Sequence, residues 1–249
     1  MDLASSLLPV LFFLVALLYS AVGLGGGSSY AALMAIFGVS APLIPATALL
    51  LNLVVTSMGA ANFLRAGHQR PLLIAPFLLG SMPMAYLGGT LDLPVKVFEG
   101  LLLASLVGVA MRIYFVGELR VRHSLAPTVR LVLAVGTGSA LGFIAGAVGI
   151  GGGIYLVPLL IVFDLATEKE AAAAGTIFVF LNSAAGLAAR LQYVTFETQW
   201  ILPLVAAVVA GGFLGSHMGS ARLRPRTIQQ ILGVIVLVAI GFLLRRFIA

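Results

Sequence analysis

Eight apolar stretches run along the 249-residue chain, and the short segments between them hold most of its charged residues. The stretches are each roughly 20 residues or longer, which is the length that a helix needs to span a bilayer. They occupy residues 7–38, 44–64, 72–91, 95–116, 131–163, 171–191, 201–218 and 228–244. The pattern predicts an all-α, polytopic integral membrane protein.

The composition agrees with this prediction. The chain is 61% hydrophobic and 9% charged, with a mean hydropathy of +1.16, whereas soluble domains carry about 25% charged residues. The net charge of +6 comes from Lys and Arg in short segments between apolar stretches, which is typical of the positive-inside bias and not of nucleic-acid binding. Because the chain has no cysteine, disulfides and thiolate metal sites are excluded. We expect no cofactor, no metal and no nucleic-acid partner.

One motif occurs twice. Residues 21–27 read AVGLGGG and residues 147–153 read AVGIGGG. Glycine in a helix interior costs about 1 kcal/mol relative to alanine, so each copy predicts a helix break inside an apolar stretch. A duplicated break is typical of transporters built from two related halves around a central site. We predict a single membrane domain over residues 1–249, with repeats at about 7–116 and 129–247 and a polar linker at 117–128.

The stretches that contain the motif are unusually long, with 32 and 33 residues. Two interpretations fit this length. Each stretch is either a re-entrant hairpin of two half-helices, or one crossing followed by an interfacial segment. Hairpins make the halves inverted and place 10 of the 14 Lys and Arg on one face, whereas single crossings make the halves parallel and place 9 there. We favour hairpins and inverted halves. The start of the chain is interpreted as a retained membrane segment and not a cleaved signal peptide.

The glycines predict an anion site. Broken backbone at membrane depth is tolerated only where protein buries it or where it lines a wet cavity. A half-helix that begins at Ser28 or Ile154 would direct free amides and its positive dipole end at that point. Close helix packing is the alternative role for such glycines, and the duplication favours the site. The predicted substrate-binding glycines are Gly25, Gly26, Gly27, Gly151, Gly152 and Gly153.

Polar residues in the second stretch of each half extend the predicted site. Asn is costly in lipid, so Asn52 and Asn182 should face the interior, either in the site or in bonds between helices. Thr47 and Thr176 are the accompanying candidates, although a bond to the i−4 carbonyl is the commoner role of an intramembrane Thr or Ser. Arg65 and Arg190 end these stretches, and we interpret them as interfacial residues.

The sequence carries no enzyme signature, and we predict that the protein is not an enzyme. Its eight acidic residues all lie at or near the ends of apolar stretches. Cation carriers and proton relays usually need an intramembrane carboxylate. The pattern therefore argues against a metal-cation carrier.

The paired GxGGG motifs, the polar second helices and the glycine-rich third helices resemble the TauE/SafE-type sulfite exporters along about residues 7–247. The resemblance implies a multi-pass inner-membrane permease for sulfite, a sulfonate or a related sulfur-containing or organic anion. It leaves the exact substrate and the direction of transport open. We predict a secondary transporter that works by alternating access in the lipid bilayer; an anion channel and a non-transporting membrane scaffold are the alternatives. Ser28-Ser29 follows the first motif where Ile154-Tyr155 follows the second, so the two half-sites should differ chemically.

Overall fold

The computed structural model describes residues 3–21, 25–65, 70–115, 126–218 and 225–248, and all regular structure in these ranges is α-helical. Six of the helices in the described ranges are long and apolar enough to cross a membrane. The prediction of an all-α polytopic membrane protein is confirmed. The helices are α1 (Leu3–Ala21), α2 (Gly27–Ile36), α3 (Leu43–Arg65), α4 (Pro71–Thr90), α5 (Val95–Tyr114), α6 (Pro127–Val148), α7 (Gly153–Val162), α8 (Glu168–Arg190), α9 (Thr198–Met218) and α10 (Pro225–Ile248).

The two long apolar stretches each break at their glycines. The first forms the 19-residue α1 and the 10-residue α2, and the second forms the 22-residue α6 and the 10-residue α7. The half-helices begin at Gly27 and Gly153, one residue before the predicted Ser28 and Ile154. Each of the other six stretches forms one helix.

Helices α4 and α6 pack with their backbones in contact. A Cβ added to any of three α6 glycines would overlap a backbone carbonyl of α4, and the pairs are Gly138 with Phe77, Gly142 with Ser81 and Gly146 with Ala85. Residue numbers rise together along both helices, so α4 and α6 are parallel. Small residues permit this close approach, which supplies packing and weak hydrogen bonds where the hydrophobic effect cannot drive association.

Helices α1 and α9 form a second pair of the same kind. A Cβ on Gly211 or Gly215 of α9 would overlap the carbonyl oxygen of Phe13 or Leu17 of α1. These contacts also ascend together, so α1 and α9 are parallel. Two helix pairs in the described ranges, α4 with α6 and α1 with α9, therefore pack with their backbones in contact.

The α6–α7 segment starts and finishes at the same end of the helix bundle. Pro127 at the start of α6 and Phe163 after α7 line one groove together with Arg70, which precedes α4. We call this the Arg70 end. Helix α7 therefore runs back towards the end from which α6 came, and the two helices form a hairpin.

The α1–α2 segment forms a hairpin at the opposite end. Arg190 at the end of α8 donates to the Tyr193 hydroxyl, which donates to the Gly89 carbonyl near the end of α4; we call this the Arg190 end. Helix α9 follows Arg190 after the short loop 191–197, so α9 and its parallel neighbour α1 start at this end. Gly38, just after α2, shares a cavity with Glu99 near the start of α5 and returns to the same end. The geometry matches the hairpin interpretation of both long stretches, while the repeat boundaries stay a prediction.

Candidate functional site

The two glycine breaks meet at one pair of side chains. A Cβ added to Gly25 would lie 2.9 Å from Asn52 Oδ1 and 3.0 Å from Val179 Cγ1. A Cβ added to Gly151 would lie 2.8 Å from Asn52 Nδ2 and 2.9 Å from the same Val179 methyl group. Asn52 is on α3 and Val179 is on α8, and both are buried. The structure therefore brings together both predicted glycine clusters and Asn52.

The breaks also contact each other directly. A Cβ on Gly27 would lie 2.7 Å from the Gly149 carbonyl oxygen and 2.8 Å from the Ile150 carbonyl oxygen, and it would overlap Asn52 Nδ2. No side chain larger than hydrogen fits at this position without a shift. Because Gly27 has no side chain, the start of α2 can lie directly against the backbone that follows α6.

Both half-helices begin inside the protein without a side-chain cap. The N-cap residues are Gly26 and Gly152, and neither supplies a side-chain cap. The first hydrogen bonds that close a helical turn come from Tyr30 N to Gly26 O, at 2.9 Å, and from Tyr155 N to Gly152 O, at 3.1 Å. The amides before them have no partner within the helix, and the first residue of each helix is buried. Two helix N-termini, each with about half a positive charge, therefore point into the region of the breaks.

The two breaks need glycine for different reasons. Gly149, Gly151 and Gly152 have positive φ angles of 83°, 80° and 74°, a conformation that costs an L-residue roughly 1–2 kcal/mol. Gly26 has a φ of −92°, which any residue adopts, but a Cβ there would lie 2.7 Å from the Tyr30 ring. The second break requires glycine because its backbone is left-handed. In the first break, Gly26 is required because the Tyr30 ring leaves no room for a side chain.

The side-chain amide of Asn52 has its nitrogen bonded and its oxygen without a partner among the described residues. Its Nδ2 donates to the Gly149 carbonyl oxygen at 3.3 Å. Its Oδ1 has no hydrogen-bond partner among the described residues, although the residue is 0% exposed. The Asn52 backbone carbonyl accepts from Thr56 Oγ1 at 2.6 Å. An open, buried acceptor thus lies at the point where the breaks meet.

The predicted partner of Asn52 in the second half is not the residue that lies opposite it. That position is taken by Val179, and Asn182 lies one turn further along α8. Asn182 Nδ2 donates to the Phe178 carbonyl at 2.8 Å, and its buried Oδ1 has no partner among the described residues. The two asparagines are therefore not equivalent in the structure.

The predicted threonines flank this central level. Thr176 lies one turn before Val179, and its hydroxyl donates to the Ala172 carbonyl at 2.9 Å; this is the i−4 bond expected of an intramembrane Thr. Thr47 lies next to Ala48, which contacts Gly149. The Thr47 hydroxyl is buried and has no partner within the described ranges.

The interfacial interpretation of Arg190 is wrong, because its side chain is only 3% exposed. Its guanidinium donates to the Gly146 carbonyl at 3.2 Å and to the Ala147 carbonyl at 2.9 Å. Helix α6 ends inside the protein, so its last carbonyls need donors there, and Arg190 supplies them. The small residues that precede Arg190, Gly186 and Ala189, are the sequence signal for this close approach. The side chain of Arg65 lies outside the described residues.

Hydroxyl groups surround the start of α2, and the one that the sequence did not indicate is that of Tyr19. The Tyr19 hydroxyl lies 3.2 Å from Ser28 Oγ and 3.1 Å from Ser29 Oγ. The Tyr30 hydroxyl is buried, lies beside Gly26 and has no partner in the described part of the chain. In the second half, Tyr155 donates to the Ser105 carbonyl instead. The first half-site is therefore the more polar one, as the Ser28-Ser29 difference predicted.

The groups at the breaks differ from those of a typical metal site. No group of three or more His, Asp or Glu side chains occurs together in the described ranges. The groups near the junction of the breaks are instead backbone amides and hydroxyls, while the Arg190 guanidinium bonds the last carbonyls of α6. Such donors can bind the oxygens of an oxyanion.

Comparison with known proteins agrees with the fold. The family model described as "Sulfite exporter TauE/SafE" matches residues 8–243. The probable membrane transporter protein y4hK of Sinorhizobium fredii is 34% identical over 247 residues, covering 96% of this chain and 98% of the relative. Two Bacillus subtilis proteins also match. The probable membrane transporter protein YjnA is 25% identical over 90% of this chain and 94% of its own length. The probable membrane transporter protein YunE is 32% identical over 41% of this chain and 36% of its own length. No solved structure matches the chain.

Proposed function

Because the chain belongs to the sulfite exporter TauE/SafE family and is a multi-pass membrane transporter, we propose that it carries a small anion through the site between its two glycine breaks. The proposed substrate is sulfite, a sulfonate or a related sulfur-containing or organic anion. The proposed ligands are the amides around Gly25, Gly26 and Gly27 and around Gly151, Gly152 and Gly153. Asn52 orients the anion, with Thr47, Thr176 and Asn182 in the adjoining turns.

The observation that carries this proposal is the convergence of two buried, uncapped helix N-termini at Asn52 and Val179. Each N-terminus brings orphan amides and about half a positive charge. A buried helix end without a partner is costly unless a ligand or water satisfies it. An anion satisfies the amides and the charge together, and discontinuous helices serve this role in other transporters.

The charge around the breaks supports an anion over a cation. Arg190 contacts the Gly146 and Ala147 carbonyls, a few residues before the second break. The described acidic side chains lie in loops or within the first five residues of helices, at Asp92, Glu99, Asp164, Glu170 and Glu197. Among the described side chains, therefore, no carboxylate lies in the middle of a helix.

The opposite directions of the two hairpins support the proposal of alternating access. The α6–α7 hairpin opens at the Arg70 end and the α1–α2 hairpin opens at the Arg190 end, so inverted halves could expose the site to each side in turn. We assign the Arg70 end, where Arg130 and Lys169 also lie, to the cytoplasm by the positive-inside rule. Rocking of the rigid pairs α4–α6 and α1–α9 around the breaks would be the motion.

A flux assay in proteoliposomes tests the proposal. It compares sulfite, thiosulfate, sulfate, sulfoacetate and acetate, each with and without a pH gradient, in the wild type and in Gly25→Leu and Gly151→Leu. We expect saturable flux of at least one sulfur anion in the wild type and loss of that flux in both variants. Gly136→Leu is the matched control, because Gly136 is exposed on α6 and a Cβ there meets nothing within 4 Å.

Three results would contradict the proposal. Wild-type flux in a folded Gly25→Leu or Gly151→Leu protein would show that the substrate does not bind at the glycine breaks. Flux that rises with concentration without saturating would indicate a channel. A folded wild-type protein with no flux and no thermal stabilisation by any of the anions would indicate a scaffold. Thermal unfolding in detergent reports folding in each case.

A further inference from the structure

The Asn52 side chain has a defined orientation at the centre of the proposed site. Its Nδ2 donates to the Gly149 carbonyl oxygen at 3.3 Å, which turns Oδ1 towards Gly25. That oxygen lies 2.9 Å from the position of a Gly25 Cβ and has no hydrogen-bond partner among the described residues. Because an amide carbonyl is an acceptor only, it can be satisfied only by a group that donates a hydrogen or by a cation.

The other groups around the breaks have the opposite requirement. The amides at the starts of α2 and α7 donate and carry partial positive charge. The Tyr30 hydroxyl, which is buried and unpartnered within the described ranges, can donate as well. A ligand that satisfies all of them must be negative, must accept several hydrogen bonds and must donate one.

We propose that the site selects small oxyanions that retain one hydroxyl donor, and that Asn52 Oδ1 accepts the hydrogen bond from this hydroxyl. Hydrogensulfite in its hydroxyl form and a hydroxyl-bearing sulfonate belong to this class, whereas sulfite dianion and simple alkylsulfonates do not. The inference rests on the proposed anion site and specifies its substrate class. A proton that is bound to the anion would then cross the membrane with it, so no intramembrane carboxylate is required.

The other buried amide oxygen without a partner among the described residues, Asn182 Oδ1, lies one turn further along α8 than Val179, the residue opposite Asn52. Tyr19 of α1 bonds the serine hydroxyls of α2, and Tyr30 of α2 lies against Gly26. Helix α8 presents Val179 at this level and Arg190 three turns further on, at the Gly146 and Ala147 carbonyls. A sodium ion at Oδ1 is the alternative ligand, and stabilisation of the protein by Na⁺ in the absence of a binding anion would overturn the proposal.

Two sulfonates of the same charge and nearly the same size separate the donor from other effects. Hydroxymethanesulfonate carries a hydroxyl where ethanesulfonate carries a methyl group, and both stay monoanions across the working pH range. Their dissociation constants are measured on the purified protein by thermal stabilisation and by competition with sulfite flux. We expect wild-type protein to bind hydroxymethanesulfonate about tenfold more tightly, since a buried acceptor left unpaired disfavours the other ligand by about 1.4 kcal/mol.

The variant Asn52→Leu should reduce this ratio to about one, because it removes the acceptor and keeps a similar side-chain volume. Ser81→Ala is the control. It removes a different buried polar group without a partner among the described residues, the Ser81 hydroxyl at the α4–α6 contact, and should keep the wild-type ratio. In parallel, wild-type flux at constant total sulfite should fall as rising pH converts hydrogensulfite to sulfite.

The outcomes separate the two proposals. Equal wild-type binding of the two sulfonates, or an unchanged ratio in Asn52→Leu, would overturn selection by Asn52 and leave the anion site in place. Binding of neither sulfonate and no sulfite flux would overturn the anion site itself. If Asn52→Leu does not fold, the wild-type ratio and the pH dependence of flux still decide the matter.

Discussion

Asn52 on α3 and Val179 on α8 lie against the same two glycines, Gly25 and Gly151, and so join the two helix breaks at one level of the protein. One member of the pair is polar and the other is apolar. The same asymmetry appears at the half-helices, where Ser28 begins the polar first half-site and Ile154 the apolar second one. An anion bound between the breaks would therefore meet donors and the open acceptor on one side and a hydrocarbon wall on the other.

Alanine substitutions at the breaks should destabilise the protein in a defined order. Gly151→Ala combines left-handed backbone (φ of 80°) with a close contact to Asn52 Nδ2, whereas Gly25→Ala brings the close contact alone. We expect a loss of about 1–3 kcal/mol for Gly25→Ala from overpacking, and roughly 1–2 kcal/mol more for Gly151→Ala. Thermal unfolding in detergent measures both.

The control for this series is Gly136→Ala, which adds a methyl group in open space on α6. It should be neutral or stabilising by about 0.5–1 kcal/mol through helix propensity. Equal stability of Gly25→Ala and Gly136→Ala would show that the breaks are less tightly packed than the structure indicates.

Substitution of Arg190 should weaken the end of α6. Arg190→Leu leaves the Gly146 and Ala147 carbonyls without their donor, and each buried, unsatisfied carbonyl costs about 1–3 kcal/mol. Arg190→Lys should fall between wild type and leucine, because an ammonium cannot reproduce the planar fork of donors. Chemical or thermal unfolding gives the ranking, and flux should fall in the same order.

Arg70→Gln is the matched arginine control. Arg70 forms an exposed ion pair with Glu170, with a nitrogen–oxygen distance of 3.7 Å, and exposed pairs contribute little to stability. We expect no measurable change in unfolding. A loss at Arg70 as large as that of Arg190→Leu would contradict the distinction between buried and exposed arginines.

The backbone contact between α4 and α6 should tolerate no added side chain. A Cβ on Gly142 would overlap the Ser81 carbonyl oxygen, so Gly142→Ala must push the helices apart. We expect a loss of about 1–3 kcal/mol, which corresponds to a fall of several degrees in Tm for a domain of this size. Gly215→Ala should behave in the same way at the α1–α9 contact, where a Cβ would overlap the Leu17 carbonyl oxygen.

Gly241→Ala on α10 provides the comparison for these helix contacts, because a Cβ there meets nothing within 4 Å. Its Tm should equal or exceed that of the wild type. If Gly142→Ala unfolds at the same temperature as Gly241→Ala, then α4 and α6 do not pack through their backbones.

Single cysteines should locate both ends of the α6–α7 segment on one side of the membrane. The natural chain contains no cysteine, so Thr128→Cys at the start of α6 and Lys169→Cys at the start of α8 can each be labelled alone. Both positions are exposed, and we expect a membrane-impermeant maleimide to reach both from the cytoplasmic side. Thr195→Cys, in the exposed loop after Arg190, should be labelled from the opposite side.

A single crossing by α6 and α7 would give a different result. Thr128→Cys and Lys169→Cys would then be labelled from opposite sides. If all three positions exchange sides but keep this grouping, the hairpins stand and the assignment of the Arg70 end to the cytoplasm is wrong.

The amino-acid sequence by itself determined the membrane class, the positions of the helices and the two breaks. These features are local: about 20 apolar residues are enough to specify a crossing, and clustered glycines interrupt a helix wherever it runs. The stretch at 44–64 became Leu43–Arg65, and the half-helix predicted to begin at Ser28 begins at Gly27. Duplication of the motif also indicated that two breaks would act together.

Only the tertiary structure decided which residues meet at the breaks. Asn182 matches Asn52 in residue type but lies three residues beyond Val179 on α8, and three residues move a side chain by about 4.5 Å along a helix axis. The side chain that lies opposite Asn52 at the level of the breaks is therefore Val179. Arg190 is buried for a related reason, because it satisfies carbonyls of a helix that ends more than 40 residues earlier in the chain. The local sequence specifies each helix and where it ends, but the packing of helices that are distant in the chain decides which side chains meet.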